Sequence, residues 1–166
     1  MLRDSGRTVG RLDSRFKGID RDAAGQYFEF DPSHAAITGA YSAALNHYVR
    51  SELGFESDLP YNILTSAVRP WSYKEFENRF VNVSETMRKA MSSNPNLKVI
   101  VANGYFDLAT PYFATDYTFK HLSLDPSLEP NIRMTFYPAG HMMYVHAPSL
   151  AQLKTDLSAF IRDSLQ

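Results

Sequence analysis

The sequence contains no cysteine and a single tryptophan, and its positive and negative charges nearly cancel. Without cysteine there is no disulfide, no thiolate nucleophile and no metal held by thiolates, and the redox compartment stays undetermined. With 17 Lys and Arg against 18 Asp and Glu, no net field favours nucleic acid or an anionic membrane surface. No run approaches the ~18 apolar residues that span a bilayer. We therefore expect neither nucleic acid nor a membrane as a partner.

Aromatic residues are abundant and make up 13% of the 166 residues. A chain of this length forms one domain and can bury roughly two-thirds of the surface that its unfolded form exposes. Many aromatics suit a large core or an apolar binding cleft. The polar start, Met1–Arg7, lacks the apolar stretch of a signal peptide. It is typical of a chain that begins inside a longer protein.

The first part of the chain, residues 1–95, predicts loops and helices rather than a sheet. Residues 1–35 show little periodicity and predict loop or extended structure. Apolar residues at helical spacing predict a helix over Ser33–Leu53. Ser72–Glu75 matches a capping box, which predicts a second helix from there to a point before Pro95. We expect residues 1–95 to form a loop followed by a mostly helical, cap-like segment.

The second part, residues 96–166, predicts a β-α-β-α unit. Leu97–Ala102 and Ile132–Tyr137 are short, apolar and rich in β-branched residues, as buried strands are. Thr110 is expected to cap a helix that has Pro111 in its first position, and another helix is expected from about Pro148. This order implies parallel strands joined by a right-handed crossover, and so an α/β fold. Because two parallel strands alone do not make a stable sheet, the pattern indicates a piece of something larger.

Two polar residues follow the predicted strands. Asp107 comes after the first strand and His141 after the second. Ligands of open α/β sheets bind beyond the carboxyl ends of the strands, and neighbouring parallel strands bring their loops together. An Asp that orients a His is half of an acyl-transfer triad, in which the other imidazole nitrogen takes a proton from a nucleophile. The order of Asp before His matches α/β-hydrolases.

The nucleophile that would complete such a triad is missing from the sequence. In α/β-hydrolases it is the serine of Gly-x-Ser-x-Gly, on a sharp turn between a strand and a helix. None of the eight glycines has a serine two positions later. The oxyanion hole that depends on this turn is missing with it.

Two motifs resemble those of the serine carboxypeptidase family (peptidase S10) in its bacterial branch. Val99–Pro111, with the sequence VIVANGYFDLATP, resembles the catalytic-Asp motif, and Tyr137–Tyr144, YPAGHMMY, resembles the catalytic-His motif. Gly10–Phe16 and Tyr41–Leu53 also resemble this branch. The resemblance implies the C-terminal portion of an α/β-hydrolase fold, with the last parallel strands, the final helix and a helical cap segment on the N-terminal side. It implies a Ser-Asp-His enzyme that removes C-terminal residues from peptides.

The same resemblance assigns roles to individual residues. Asp107 is implied as the acid that orients the histidine, and His141 as the general base. Met142 is implied to line the pocket of the leaving residue. Tyr105 and Phe106 flank Asp107, and they either pack in the core or line an apolar substrate pocket. No cofactor or metal is implied, and the spacing of five between His141 and His146 does not suit a zinc site.

Three hypotheses about the function stay open. In the first, the chain is the C-terminal fragment of a serine carboxypeptidase, inactive without the missing N-terminal part; it is then an expressed fragment, a proteolytic remnant or one chain of a processed enzyme. In the second, it is a non-catalytic interaction module or homo-oligomer that uses an exposed sheet edge. In the third, Ser5, Ser14 or Ser123 serves as nucleophile in a self-contained hydrolase. Family analogy alone suggests a periplasmic or secreted location.

Overall fold

Four α-helices and two small sheets form the framework of the computed structural model, which describes residues 2–21, 29–63 and 65–165. The strands are β1 (Thr8–Val9), β2 (Lys17–Gly18), β3 (Val99–Gly104) and β4 (Ile132–Tyr137). The helices are α1 (Pro32–His47), α2 (Ser84–Ser93), α3 (Tyr112–Lys120) and α4 (Ala147–Ser164). The predicted mixture of helix and sheet is confirmed.

The β-α-β-α order predicted for the second half is present as β3, α3, β4 and α4. Strands β3 and β4 are parallel, and their register pairs Val99 with Ile132 and Gly104 with Tyr137. Both strands therefore end at the same level. The loops that follow them, which carry Asp107 and His141, start side by side.

Helix α4 packs its start against the end of β4. Tyr137, Ala139 and Met143 form a buried cluster, and Leu153 of α4 packs against it. The Tyr137 ring is 1% exposed, and its hydroxyl donates a hydrogen bond to Asp156 Oδ2 at 2.7 Å. The buried Tyr137 ring and its hydrogen-bonded hydroxyl therefore attach α4 to β4, the strand that precedes the His141 loop.

The helix predicted over Ser33–Leu53 is confirmed. Helix α1 covers Pro32–His47, and a turn of π-helix continues it through Tyr48–Glu52. Gly54 follows with a φ of +62°, a left-handed conformation in which glycine carries no steric cost.

The second helix starts later than the capping box predicts. Residues Lys74–Phe76 form only a turn of 3₁₀-helix, and α2 begins at Ser84. The Ser72 hydroxyl accepts a hydrogen bond from the backbone of Lys74 rather than from Glu75. Asn78 then adopts a φ of +61°, which a right-handed helix cannot include. The prediction of one continuous helix from the capping box to a point before Pro95 is therefore wrong.

The chain divides into two compact units, Met1–Thr38 with Ser84–Gln166, and Gly39–Val83. The predicted division between residues 95 and 96 stays a prediction. Within the second unit, no described residue is buried, and large apolar side chains such as Trp71 and Phe80 are mostly exposed. Among the helices in the described ranges, none combines the length and apolar character that crossing a bilayer requires.

Candidate active site

Asp107 lies just beyond the carboxyl end of β3 and is 5% exposed. Its Oδ1 accepts hydrogen bonds from the backbone N–H groups of Ala109 at 2.7 Å and Thr110 at 3.0 Å. Its Oδ2 accepts one from the Thr110 hydroxyl at 2.7 Å. A carboxylate that bonds the backbone two and three residues ahead is the local geometry that Asp favours in turns. Hydrogen bonds within the turn therefore hold the carboxylate in place without any contact from another strand.

These hydrogen bonds decide the charge of Asp107. Burial alone would raise the pKa of its carboxyl group, but bonds from the backbone and hydroxyl of Thr110, from His141 and from the backbone of Ala109 outweigh burial and lower the pKa below its ordinary value. Asp107 is accordingly ionised at neutral pH and accepts hydrogen bonds at both oxygens.

His141 lies beyond the end of β4 and meets Asp107 across the strand ends. Its Nδ1 is 2.8 Å from Asp107 Oδ2 and 3.3 Å from the Thr110 hydroxyl. Because an ionised carboxylate can only accept, Nδ1 carries the proton and donates it. The neutral ring then has its lone pair on Nε2. The structure thus brings together the two residues that the sequence places at strand ends.

His141 is much more exposed than the carboxylate that it contacts. The side chain is 43% exposed, against 4% for that of Asp107. No residue of the described ranges forms a hydrogen bond with Nε2. A buried carboxylate and an oriented ring, whose Nε2 carries the lone pair when the ring is neutral, can together remove a proton from a group that approaches the ring.

Two glycines permit the close approach of the strand ends. A Cβ built on Gly104 would lie 2.6 Å from the Ala139 carbonyl oxygen and closer still to that of Gly140. A Cβ built on Gly140 would lie 2.5 Å from the Cβ of Asp13 and would also overlap the carbonyl oxygen of Leu12. Any larger residue at either position would push the Asp107 and His141 loops away from their supports.

The three predicted substrate-binding residues lie in different surroundings. Tyr105 is 49% exposed and forms an aromatic cluster with Tyr112, edge-on at 5.2 Å, and Phe136, stacked at 5.8 Å. Phe106 is half-buried, and the guanidinium of Arg15 lies 4.8 Å from its ring centroid.

Met142 borders a small cavity of about 20 Å³. The other lining residues are Leu12, Asp13, Phe16, Ser33, Ile37 and Val145. A cavity of this size holds one water molecule rather than an amino-acid side chain. The role of Met142 in a pocket for the leaving residue stays a prediction.

Thr110 is a site residue that sequence reasoning interpreted differently. It was expected to cap the following helix, but α3 begins at Tyr112 with Pro111 in the cap position and no side-chain cap. Its hydroxyl donates to Asp107 instead. The spacing Asp-x-x-Thr, in which an Asx-type turn brings the two side chains together, is the signal that could have identified it.

The serines that the third hypothesis offers as nucleophiles make other contacts. The Ser5 hydroxyl donates to the Leu2 carbonyl, and Ser123 has a φ of +52°, in the left-handed region of the backbone. The backbone of Ser14 donates to Phe106. None of the three hydroxyls forms a hydrogen bond with His141 within the described ranges. Across the same ranges, no three His, Cys, Asp or Glu side chains cluster as metal ligands would.

Comparisons with known proteins do not place the chain in a family. No protein-family model matches it, and no curated protein or solved structure matches it at a significant level. What bears on the function of this chain is therefore the geometry of Asp107 and His141 and the resemblance of the two motifs.

Proposed function

We propose that Asp107 and His141 are the acid and the base of a serine-type acyl-transfer triad whose nucleophile lies outside the present sequence. The observation that carries the proposal is the 2.8 Å hydrogen bond between His141 Nδ1 and Asp107 Oδ2, at the ends of adjacent parallel strands. The absence of Gly-x-Ser-x-Gly from the sequence is the reason to seek the nucleophile elsewhere.

In this proposal each residue has one task. His141 Nε2 takes the proton of the nucleophilic hydroxyl while its oxygen attacks the scissile carbonyl, and it then returns that proton to the leaving amine. A water molecule repeats the two transfers and releases the acyl group. Asp107 keeps the proton on Nδ1 and stabilises the imidazolium that forms between the transfers.

The substrate class comes from the resemblance of the two motifs to serine carboxypeptidases. We propose that the complete enzyme hydrolyses the C-terminal peptide bond of a peptide and that this chain supplies two of its three triad residues. The α/β-hydrolase fold belongs to the same proposal. It is supported by the parallel β3–β4 pair, the connecting α3 and the final α4.

The test combines the chain with the segment that carries the nucleophile and follows cleavage of a blocked dipeptide. His141→Gln should abolish cleavage. His146→Gln is the matched control, because His146 lies five residues further along and bonds to Ser149 Oγ at 2.8 Å instead of Asp107. It should leave the rate unchanged.

Two results would contradict the proposal. If cleavage survives His141→Gln, His141 is not the base. If the present chain by itself reacts with a fluorophosphonate probe, an internal serine is the nucleophile and the third hypothesis is correct.

A non-catalytic interaction module is the second candidate, and the exposed apolar residues favour it. In Gly39–Val83, Phe80 is 95% exposed and Leu59 82%, whereas folded chains rarely expose large contiguous apolar surface. Within the described residues, β3 pairs only with β4, so its other edge is open to a further strand. Light scattering should then give a mass above that of one chain. A stable monomer that binds no apolar dye would contradict this candidate.

A further inference from the structure

A short loop near the start of the chain, Arg11–Arg15, binds both loops of the candidate site. We call it the brace. The Arg11 carbonyl accepts a hydrogen bond from the backbone of Leu108 at 2.9 Å, and the Ser14 backbone donates to the Phe106 carbonyl at 2.9 Å. These two contacts lie on either side of Asp107. The brace therefore holds the Asp107 loop from both directions.

The brace holds the His141 loop in the same way. The Leu12 carbonyl accepts a hydrogen bond from the backbone N–H of His141 at 2.6 Å. Arg15 Nη1 donates to the Pro138 carbonyl at 2.8 Å, and its guanidinium pairs with Asp13 at 2.7 Å. One loop of five residues thus sets the spacing between the two proposed triad residues.

The brace is in turn anchored by Asp31, just before α1. Asp31 Oδ2 accepts from the backbone N–H groups of Arg11 at 3.0 Å and Leu12 at 3.3 Å. Its Oδ1 accepts from the backbone N–H groups of Ser33 at 2.9 Å and His34 at 3.3 Å. These two N–H groups lie in the first turn of the helix, where they have no partner within the helix itself. The same carboxylate therefore joins the helix to the brace.

Ser33 adds a second connection. Its hydroxyl donates to Asp31 Oδ1 and accepts from the backbone N–H of Asp13 at 3.2 Å. Burial alone would raise the pKa of Asp31, but the hydroxyl of Ser33 and the backbones of His34, Arg11 and Ser33 lower it. The anchor is ionised at neutral pH, and charge strengthens each of its hydrogen bonds.

We propose that Asp31 is a positioning residue, which acts through the brace to hold His141 in the orientation in which its Nδ1–H donates a hydrogen bond to Asp107. The inference rests on the proposed function for its catalytic meaning. The contacts themselves run without interruption from Asp31 to Leu12 and from Leu12 to His141.

Asp31→Asn tests this role, because the amide keeps one acceptor oxygen and turns the other into a donor. At least two backbone N–H groups then lose their partner. In ¹⁵N-labelled chain, the ring-nitrogen shifts of His141 report which nitrogen carries the proton. We expect the Nδ1–H form to dominate in the wild type and a substantial part of the population to move to the Nε2–H form in Asp31→Asn.

Asp125→Asn is the matched control. Asp125 likewise accepts from the backbone and hydroxyl of a serine two residues ahead, Ser127, but it makes no contact with the brace. It should leave the ring-nitrogen shifts of His141 unchanged. Ser33→Ala, which removes one hydroxyl, should produce a smaller shift than Asp31→Asn and serves as the deciding variant if Asp31→Asn does not fold.

An unchanged tautomer of His141 in folded Asp31→Asn, or in Ser33→Ala when only that variant folds, would overturn the inference. In the complete enzyme, Asp31→Asn should lower kcat and leave KM near the wild-type value. The two proposals fail differently. If the positioning role is wrong, the tautomer stays fixed while His141→Gln still abolishes cleavage. If the catalytic proposal is wrong, cleavage survives His141→Gln whatever the tautomer does.

Discussion

The backbone N–H of His141 donates a hydrogen bond to the carbonyl oxygen of Leu12, 2.6 Å away. The two residues come from opposite ends of the chain. The imidazole that contacts Asp107 is thus held at its own backbone by a loop outside the β-α-β-α unit. Substitutions in that loop should therefore alter the geometry of Asp107 and His141.

Asp107→Asn should remove the correct tautomer of His141. The amide can present its NH₂ group to Nδ1, and the ring then carries its proton on Nε2, where the base must be free. In the proposed complete enzyme we expect a loss of kcat on the order of 10⁴-fold, measured by single-turnover cleavage of the blocked dipeptide. A loss smaller than tenfold would contradict the role of Asp107.

Asp107 should also contribute to the pH dependence of stability. Its folded-state pKa lies below that of the unfolded chain, so ionisation stabilises the fold above about pH 4, and this contribution disappears as the pH falls through the folded-state pKa. Urea unfolding should show Asp107→Asn less stable than wild type by about 1–3 kcal/mol at pH 7. The difference should shrink at pH 3. A difference that grows on acidification would contradict this sign.

Gly140→Ala should disturb the brace. The added Cβ would meet the backbone and side chain of Asp13 and the carbonyl of Leu12, and overpacking of this kind costs about 1–3 kcal/mol. Gly39→Ala is the control, since a Cβ there meets nothing within 4 Å and alanine favours a helix by about 1 kcal/mol. The midpoint temperature of thermal unfolding should fall for Gly140→Ala and rise for Gly39→Ala. Equal shifts of the two variants would show that the brace does not contact Gly140 closely.

Thr110→Val should weaken the Asp107 turn, because valine keeps the shape of threonine but cannot donate to Oδ2 at 2.7 Å. We expect a loss of about 1 kcal/mol in the free energy of unfolding, restored by Thr110→Ser. Thr118→Val removes a hydroxyl that donates to a helix carbonyl and should leave the His141 ring-nitrogen shifts unchanged, whereas Thr110→Val should move them. If both variants move these shifts equally, the Thr110 hydroxyl has no specific part in the site.

Tyr137→Phe tests how α4 is attached to β4. The change removes the hydroxyl that donates to Asp156 Oδ2, on a residue that is 1% exposed. Its loss should lower the free energy of unfolding, measured with denaturant, by about 1 kcal/mol. Tyr144→Phe is the control, because its side chain is 49% exposed. If the two variants unfold alike, the hydroxyl of Tyr137 does not stabilise the helix.

Local sequence patterns predict the parallel strands β3 and β4 correctly, but they do not predict where α2 begins. Strand Ile132–Tyr137 and the start of α4 follow from short apolar runs and from Pro148, since these signals lie within a few residues of what they determine. The helix start predicted from the capping box at Ser72 is wrong, because the left-handed backbone of Asn78 prevents a helix from continuing through that residue. The spacing of apolar residues does not reveal this conformation.

The amino-acid sequence by itself determined that an Asp and a His each follow a strand, because a strand's apolar run and the turn residues after it are local features. It also determined that no Gly-x-Ser-x-Gly accompanies them. Only the tertiary structure decided that Asp107 and His141 meet at 2.8 Å and that Asp31 anchors the brace. These contacts join segments that are distant in the chain, and their geometry depends on packing and register, which no local spacing encodes.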